Sequence, residues 1–222
     1  MIRWEHLDTA RIPDGGELKL MRRGTEYSIM SGPIELMNSR LSGSEEALAT
    51  LTCEPLVATP RPKILIGGLG MGFTLRAALA VLPAQAEVVV AELVPAVVVW
   101  ARGPLAELFA GSLDDPRVGV REGDVAEAIA DATGDYDAIL LDVDNGPGGL
   151  NREANDGLYG SAGLSAARRA LRPGGVLAVW SADPDDRFAA QLRKSGFTVE
   201  EKRVRATRSG KGARHVIWLA GR

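Results

Sequence analysis

The stretch that decides how the chain is interpreted is residues 63–72, which read KILIGGLGMG. Its first part, KILI, is a short apolar run that predicts a strand buried on both faces. Glycines follow at Gly67, Gly68, Gly70 and Gly72, and FTLRAALAVL then has apolar residues at helical spacing. Glycine is needed where the backbone takes a positive φ or where a ligand approaches the main chain closely. The stretch therefore predicts a nucleotide-type site at the carboxyl end of a parallel strand.

Outward from this stretch, predicted strands and helices alternate. The further strands are AEVVVAEL at 86–93, RVGV at 117–120, YDAILLD at 136–142 and VLAVWSA at 176–182. Helices are expected between them. The turn Arg172-Pro173-Gly174-Gly175 is expected to end the helix at about 161–171, before the fifth strand begins. Five strands alternating with helices imply a parallel sheet with right-handed crossovers. Two further strands separated by RSGKG predict a C-terminal antiparallel hairpin.

The first 43 residues differ from the rest. ELKLMRRGTEYSIMSGPIELM has alternating apolar positions broken by glycine turns, which predicts β-hairpins. A short helix is expected at 44–52, with Ser44 as its N-cap. The predicted organisation is an N-terminal β-hairpin extension at 1–43 and a Rossmann-like domain at 44–222.

Composition excludes several functional classes. The 222 residues carry a net charge of -3, which gives no electrostatic case for nucleic acid or an anionic membrane as a partner. Cys53 is the single cysteine, and His6 and His215 are the only histidines, so a zinc site of the Cys/His kind is excluded. No signal-peptide core and no spanning apolar stretch is found. We therefore expect a cytoplasmic protein without a metal, acting on a small molecule.

The order of motifs resembles that of the class I S-adenosylmethionine-dependent methyltransferases, and within them the spermidine synthase family. The similar segments are KILIGGLGMGFTLRAAL, VVVAELVPAVV, REGDVAEAI, YDAILLDVDNGP and GLYGSAGLSAARRALRPGGVLAVWSA. The resemblance covers about residues 60–182 and extends more weakly to the N-terminal hairpins. It implies a mostly parallel seven-stranded sheet and a site for S-adenosylmethionine or its decarboxylated form. Related enzymes are often dimers, so a homodimer is also expected.

The resemblance assigns a cofactor role to residues at the ends of the first three central strands. The turn at Gly67, Gly68 and Gly70 would approach the methionine part of the cofactor. Glu92 can accept hydrogen bonds from both ribose hydroxyls, and the alternative to this preferred role is a solvated acid at a strand end. The remaining positions of this set are Leu93 next to Glu92, Asp124 toward the adenine amino group, and Val125 against the base. Asp124 has an alternative role as the N-cap of the following helix.

Catalysis and acceptor binding are assigned to the end of the fourth strand. Asp142 matches the catalytic aspartate of the family and would take the proton of an attacking amine, and it is assigned to the cofactor site as well. Asp144 would assist it, and two carboxylates together would attract a cationic amine and raise one another's pKa. Asn145 and Tyr159 are assigned to the substrate side, although Tyr159 can equally belong to the core. No histidine is expected near this site.

The chain departs from the family pattern in two places. Aminopropyltransferases usually carry an aspartate in the glycine-rich loop, which holds the amine of decarboxylated S-adenosylmethionine, and here the loop is GGLGMG. They also carry a Tyr-Gln-Glu segment, and the corresponding helix here begins SGSEEALATL. We therefore expect a methyltransferase that acts on a small amine and prefers S-adenosylmethionine. The alternatives are an aminopropyltransferase of polyamine synthesis and a non-catalytic module that binds an adenosine ligand.

Overall fold

The computed structural model describes residues 2–13, 15–143, 146–147, 157–207, 209 and 212–222. They form two β-sheets and the helices that cover them. The larger sheet has seven strands and the smaller one, built from the N-terminal residues, has four. This is the predicted fold class, with one sheet preceding the other along the chain.

The N-terminal sheet is a four-stranded antiparallel meander. Its strands are β1 (Glu5–Arg11), β2 (Glu17–Arg23), β3 (Glu26–Ser31) and β4 (Ile34–Asn38), paired in sequence order. The hairpins of β2 to β4 were predicted, but β1 was not, because most of its side chains are polar and exposed. Asp8 of β1 accepts a hydrogen bond from the indole nitrogen of Trp100 at 2.7 Å, which ties this sheet to the main domain. The division of the chain at residue 43 stays a prediction.

The seven-stranded sheet has the order β10-β11-β9-β8-β5-β6-β7. Strands β5 to β9 are parallel to their neighbours, and the hairpin β10–β11 joins β9 through antiparallel pairing. The bounds are β5 (Lys63–Gly67), β6 (Glu87–Glu92), β7 (Val118–Glu122), β8 (Tyr136–Leu141), β9 (Leu171–Ser181), β10 (Thr198–Arg205) and β11 (Arg214–Gly221). The predicted parallel sheet and terminal hairpin are therefore confirmed.

Helices cover both faces of this sheet. They are α1 (Gly43–Cys53), α2 (Phe73–Val81), α3 (Pro95–Arg102), α4 (Ala106–Phe109), α5 (Val125–Ala130), α6 (Ser161–Ala170) and α7 (Asp186–Lys194), with short 3-10 turns at Glu54–Leu56 and Ser112–Asp114. None of the helices in the described ranges has the length and apolar character that crossing a lipid bilayer requires.

Two local predictions are wrong. Helix α1 has Ser42, not Ser44, at its N-cap position, and Ser44 is fully buried inside the first turn. The turn expected at 172–175 is part of β9, which begins at Leu171 directly after α6. A register shift between Tyr136 and Ala138 of β8 accommodates the extra residues of β9, and Gly174 supplies the positive φ that this irregularity needs.

The position of the site follows from the strand order. β5 lies between β6 and β8, and all three are parallel, so their carboxyl ends meet at one edge of the sheet. The N-terminal sheet shares a hydrophobic core with this side of the molecule, because Leu18, Leu20 and Ile29 pack in the same cluster as Ile64 and Trp100. The N-terminal sheet therefore packs over the edge where ligands of open α/β sheets bind.

Candidate functional site

The glycine turn after β5 is held in backbone contact with the end of β8. Gly68 and Gly70 have φ values of 90° and 49°, which side-chain-bearing residues rarely adopt. A Cβ on Gly68 would lie 2.4 Å from the carbonyl oxygen of Asp142, so only glycine fits there. The turn therefore exposes its backbone at the sheet edge, as the sequence predicted.

A cavity of about 200 Å³ lies over this turn. It is lined on one side by the edge of the seven-stranded sheet and on the other by the N-terminal sheet. The lining residues are Gly68, Gly70, Ala91, Glu92, Leu93, Val94, Val97, Asp124, Val125, Asp142, Val143 and Leu158, together with Ile12, Leu18, Ile29, Leu36 and Met37 of the N-terminal part. Seven of the eight residues assigned to the cofactor from sequence, all except Gly67, are thus brought to one cavity.

Glu92 is buried at the end of β6, with its side chain directed at backbone nitrogens. Its Oε2 accepts from the amide of Leu69 and its Oε1 from the amide of Val94, both at 2.9 Å. Burial raises the pKa of Glu92, and these backbone bonds oppose the shift. The carboxylate therefore fixes the glycine turn to the start of α3, and it is not the solvated acid of the alternative interpretation.

Asp124 has the N-cap role that the sequence left open for it, and its contact with adenine stays a prediction. It is the N-cap of α5, because its Oδ1 accepts from the amide of Ala126 at 2.8 Å. It also lines the cavity, next to the buried Val125. Leu93 lines the same cavity and is 39% exposed, so it presents an apolar side chain there.

Asp142 directly follows β8, and two side chains from neighbouring helices act on its carboxyl group. Thr74 of α2 donates a hydrogen bond to Asp142 Oδ2 at 2.6 Å. Burial, and next the charge of Glu45 on α1, raises the pKa of Asp142 to about 7, while the Thr74 bond acts in the opposite direction. Burial also raises the pKa of Glu45. Asp142, which lines the cavity, therefore interacts with a second carboxyl group on α1 and has a pKa suited to a general base at neutral pH.

Two sequence-assigned residues, Gly67 and Tyr159, do not line the cavity. Gly67 is the last residue of β5, where a Cβ would lie 2.9 Å from Val125 Cγ2, so this glycine serves packing beneath the site. Tyr159 is buried in the core, edge-on to Phe188 with ring centroids 5.5 Å apart, and its neighbour Leu158 lines the cavity. Asp144 and Asn145 lie outside the described residues.

The sequence missed the side chains that surround Asp142. Glu45 was seen as part of an incomplete motif, and Thr74 as an ordinary helix residue. His215 was not expected near the site, but its Nδ1 lies 2.8 Å from Ser44 Oγ, which is 2.7 Å from Glu45 Oε2. Two residues 171 positions apart give no local signal that they meet. The departure from the family motif at Ser44 and Glu45 was the one feature that could have drawn attention to them.

Comparison with known proteins gives relatives of one kind. A polyamine aminopropyltransferase of Mycobacterium tuberculosis is 32% identical over 155 residues, which are 65% of this chain and 28% of that protein. Polyamine aminopropyltransferase 1 of Streptomyces coelicolor is 35% identical over 133 residues, 59% of this chain and 24% of that protein. The chain thus spans less than a third of the length of these curated relatives. No family model matches it.

Solved structures share the fold. Spermidine synthase from Thermotoga maritima superposes with a TM-score of 0.75 at 20% identity, covering 97% of this chain and 72% of that chain. Human methyltransferase-like protein 13 in complex with SAH superposes with a TM-score of 0.59 at 22% identity, covering 80% of this chain and 79% of that chain. At these identities the likeness establishes the fold alone. The curated relatives do not support methyl transfer, which the sequence analysis had preferred.

Proposed function

Because the resemblance to the spermidine synthase-like family is confirmed, we propose that this chain transfers the aminopropyl group of decarboxylated S-adenosylmethionine to an amine. The observation that carries the proposal is Asp142, which lines the cavity beside the glycine turn and has a pKa raised by burial and by the charge of Glu45. Paired carboxylates attract a cationic amine, and one of them can take its proton. The polyamine aminopropyltransferases among the relatives support the same reaction.

The transfer needs alignment and a proton acceptor. The nitrogen lone pair of the acceptor attacks the aminopropyl carbon bound to the sulfonium, a C–N bond forms, and the C–S bond breaks with its electron pair going to sulfur. Methylthioadenosine leaves, and the proton lost by the amine goes to the Asp142 carboxylate. A pKa of about 7 makes Asp142 an effective acceptor near neutral pH. The hydrogen bond from Thr74 fixes which oxygen faces the cavity.

The remaining lining residues fit an adenosine group. Glu92 lines the cavity and accepts from the amides of Leu69 and Val94, and its carboxylate can also accept from a ribose hydroxyl. Asp124 Oδ1 binds the Ala126 amide, which leaves Oδ2 to accept from the adenine amino group. Leu93 and Val125 can contact the two faces of the base. In this proposal decarboxylated S-adenosylmethionine, and no metal, is the small molecule that the site takes.

A second candidate, methyl transfer from S-adenosylmethionine, is favoured by one observation. Gly70 stands in the loop where the family carries its aspartate, and a Cβ there would lie 3.1 Å from Met37 Sδ. The thioether of Met37 thus occupies the space next to the turn, and the turn itself carries no carboxylate that would repel the carboxylate of S-adenosylmethionine. Aminopropyl transfer is preferred because Asp142 after β8 and Glu45 on α1 can supply the negative charge that the glycine loop lacks.

The test compares both donors with a panel of acceptors. The full chain is incubated with decarboxylated S-adenosylmethionine and putrescine, cadaverine or spermidine, and mass spectrometry follows methylthioadenosine and the aminopropylated amine. The expected result is both products from the parent and neither from Asp142→Asn. Methylated amine with S-adenosylhomocysteine from S-adenosylmethionine, and no aminopropyl product, would give the second candidate instead.

A binding measurement separates an inactive enzyme from a binding module. AdoDATO, the transition state analogue bound by a spermidine synthase of the same fold, is a suitable calorimetric probe. We expect it to bind more tightly than S-adenosylhomocysteine. Binding of methylthioadenosine without any transfer to the acceptor panel would favour the non-catalytic module, and no binding of any adenosine ligand would refute both.

A further inference from the structure

A chain of two hydrogen bonds joins the C-terminal hairpin to Glu45. Ser44 is fully buried, and its Oγ lies 2.8 Å from His215 Nδ1 and 2.7 Å from Glu45 Oε2. An ionised carboxylate can only accept, so the single hydroxyl proton of Ser44 is directed at Glu45. The oxygen of Ser44 then accepts from His215, which assigns the imidazole proton to Nδ1.

The surrounding structure holds this chain of bonds in place. Trp180 of β9 meets the His215 ring edge-on, with centroids 4.8 Å apart, and so restricts its rotation. The first turn of α1 is fastened independently, because the amide of Gly43 donates to the carbonyl of Ala206 at 2.9 Å. Serine and histidine therefore stay in contact without relying on their own bond to bring the two segments together.

The direction of these bonds favours the ionised form of Glu45. The bond from Ser44 lowers the pKa of Glu45, against the larger effect of burial. Donation from His215 polarises the Ser44 hydroxyl and strengthens its bond to the carboxylate. The other charged groups acting on Glu45 and His215 are Glu46 on the same helix and Asp183 after β9, both negative.

An ionised Glu45 matters because it lies near Asp142. Thr74 Oγ1 donates to Asp142 Oδ2 at 2.6 Å and lies 3.4 Å from the backbone carbonyl oxygen of Glu45, so the two acids share a neighbour. Glu45 is the charged group that raises the pKa of Asp142, and Thr74 is the hydrogen-bond donor that opposes it. Within the described part of the chain, the groups that act on Asp142 are thus Glu45 from α1 and Thr74 from α2. Losing the charge of Glu45 would leave Asp142 a weaker base.

We propose that Glu45, held in its ionised form by Ser44 and through Ser44 by His215, is a positioning residue that keeps Asp142 basic enough to accept the proton of the attacking amine. The inference rests on the proposed amine chemistry at Asp142. The proton step itself is balanced: the N–H bond breaks, an O–H bond forms on Asp142, and nitrogen keeps the electron pair. His215 and Ser44 touch neither substrate nor Asp142 in this scheme.

The variants separate the hydrogen bonds from the mere presence of the side chains. Ser44→Ala and His215→Phe each remove one bond, and Glu45→Gln removes the charge. His215→Asn is the conservative variant, because its amide NH₂ can donate from near the position of Nδ1. The matched control is His6→Phe, since His6 bonds Thr9 at 2.7 Å in an exposed position on β1, the edge strand of the N-terminal sheet.

Titration of side-chain carboxyl carbons by NMR, from pH 4 to 9 on the ligand-free full chain, reports Asp142 without any substrate. We expect its midpoint to fall by about 1 pH unit in Glu45→Gln, the size of a close like-charge interaction. The midpoint should fall by a smaller amount in Ser44→Ala and His215→Phe. It should stay near the parent value in His215→Asn and His6→Phe. The acidic limb of the turnover profile should move with it.

Two outcomes overturn the inference: an unchanged Asp142 midpoint in Glu45→Gln, or equal shifts in His215→Phe and His6→Phe. Should His215→Phe fail to fold, Ser44→Ala against the parent provides the same comparison. A shifted midpoint without aminopropyl transfer to any acceptor would leave the carboxylate pair standing and remove the proposed reaction. The two failures are therefore distinguishable.

Discussion

A Cβ atom on Gly68 would lie 2.4 Å from the carbonyl oxygen of Asp142, so the cofactor turn and the proposed base share one backbone contact. This contact explains why the sulfonium end of a ligand on the turn would lie near the Asp142 carboxylate. Substitution of Gly68 should be destabilising for two separate reasons: its φ is positive, and there is no space for a Cβ atom.

Gly68→Ala is expected to lower the free energy of unfolding by about 2–4 kcal/mol, the sum of left-handed strain and overpacking. Gly111→Ala is the matched control, because Gly111 has φ of 79° but nothing within 4 Å of a Cβ. The control should lose about 1 kcal/mol from strain alone. Urea unfolding of both variants is the measurement, and equal losses would show that the contact with Asp142 is unimportant for stability.

Asp142→Asn is expected to reduce turnover by about 10²–10⁴, the usual range for a general acid–base group. The substitution keeps the size of the side chain and removes the charge, so affinity for the adenosine ligand should change much less. Steady-state kinetics with the acceptor that the proposed panel identifies, paired with calorimetry, measures both. Asp131→Asn, which changes an exposed carboxylate paired with Arg121 at 3.2 Å, is the control and should keep full turnover. Full turnover in Asp142→Asn would move the catalytic role to another group.

The same variant should change how stability depends on pH. The pKa of Asp142 rises from its ordinary value of 3.8 to about 7, chiefly through burial. Between these values the unfolded chain loses the proton while the folded chain keeps it, so the free energy of unfolding falls as the pH rises from about 4 to about 7. Asparagine has no proton to lose in this range, so the variant does not lose this stability. Relative to the parent, Asp142→Asn should therefore gain about 2–3 kcal/mol between pH 5 and pH 8.

Urea unfolding at several pH values measures this difference and needs no substrate. Asp131→Asn should follow the parent at every pH. A constant difference between Asp142→Asn and the parent would mean that Asp142 is already ionised at pH 5 in the folded chain.

Glu92→Ala is expected to have two effects. It should weaken binding of an adenosine ligand by about 1.5–3 kcal/mol, the scale of charge-assisted hydrogen bonds. It should also destabilise the ligand-free protein by about 1–3 kcal/mol, because the amides of Leu69 and Val94 lose their acceptor. The control is Glu122→Ala, since Glu122 pairs in register with Glu92 on β7 but is exposed. Calorimetric titration and thermal unfolding separate the effects, and an unchanged dissociation constant would restrict Glu92 to a structural role.

The fold could be predicted from the sequence because its signals are local. A branched apolar run, a glycine turn and a helix at 63–81 specify a parallel strand followed by a crossover, and the pattern recurs in order along the chain. The acids at strand ends, Glu92 and Asp142, were identified by the same logic, since parallel strands bring their carboxyl ends to one edge. Strand β1 escaped prediction because its mostly exposed polar side chains give no clear alternation.

The sequence left open what each acid does. Asp124 caps α5 and also lines the cavity. Glu92 lines the cavity and also accepts hydrogen bonds from the amides of Leu69 and Val94. Such sharing depends on distances between elements, which no periodicity encodes. For the same reason Tyr159 was assigned to the substrate side, although it packs against Phe188 in the core.

By itself, then, the sequence determined the sheet, its glycine turn and the edge where a nucleoside ligand would bind, because strand and helix propensities act over a few residues. Only the tertiary structure decided the environment of Asp142. Glu45 reaches it from α1, Thr74 from α2, and His215 acts through Ser44 across 171 positions of sequence. The pKa of a carboxyl group depends on burial and on charges a few ångströms away, and packing of distant segments sets both.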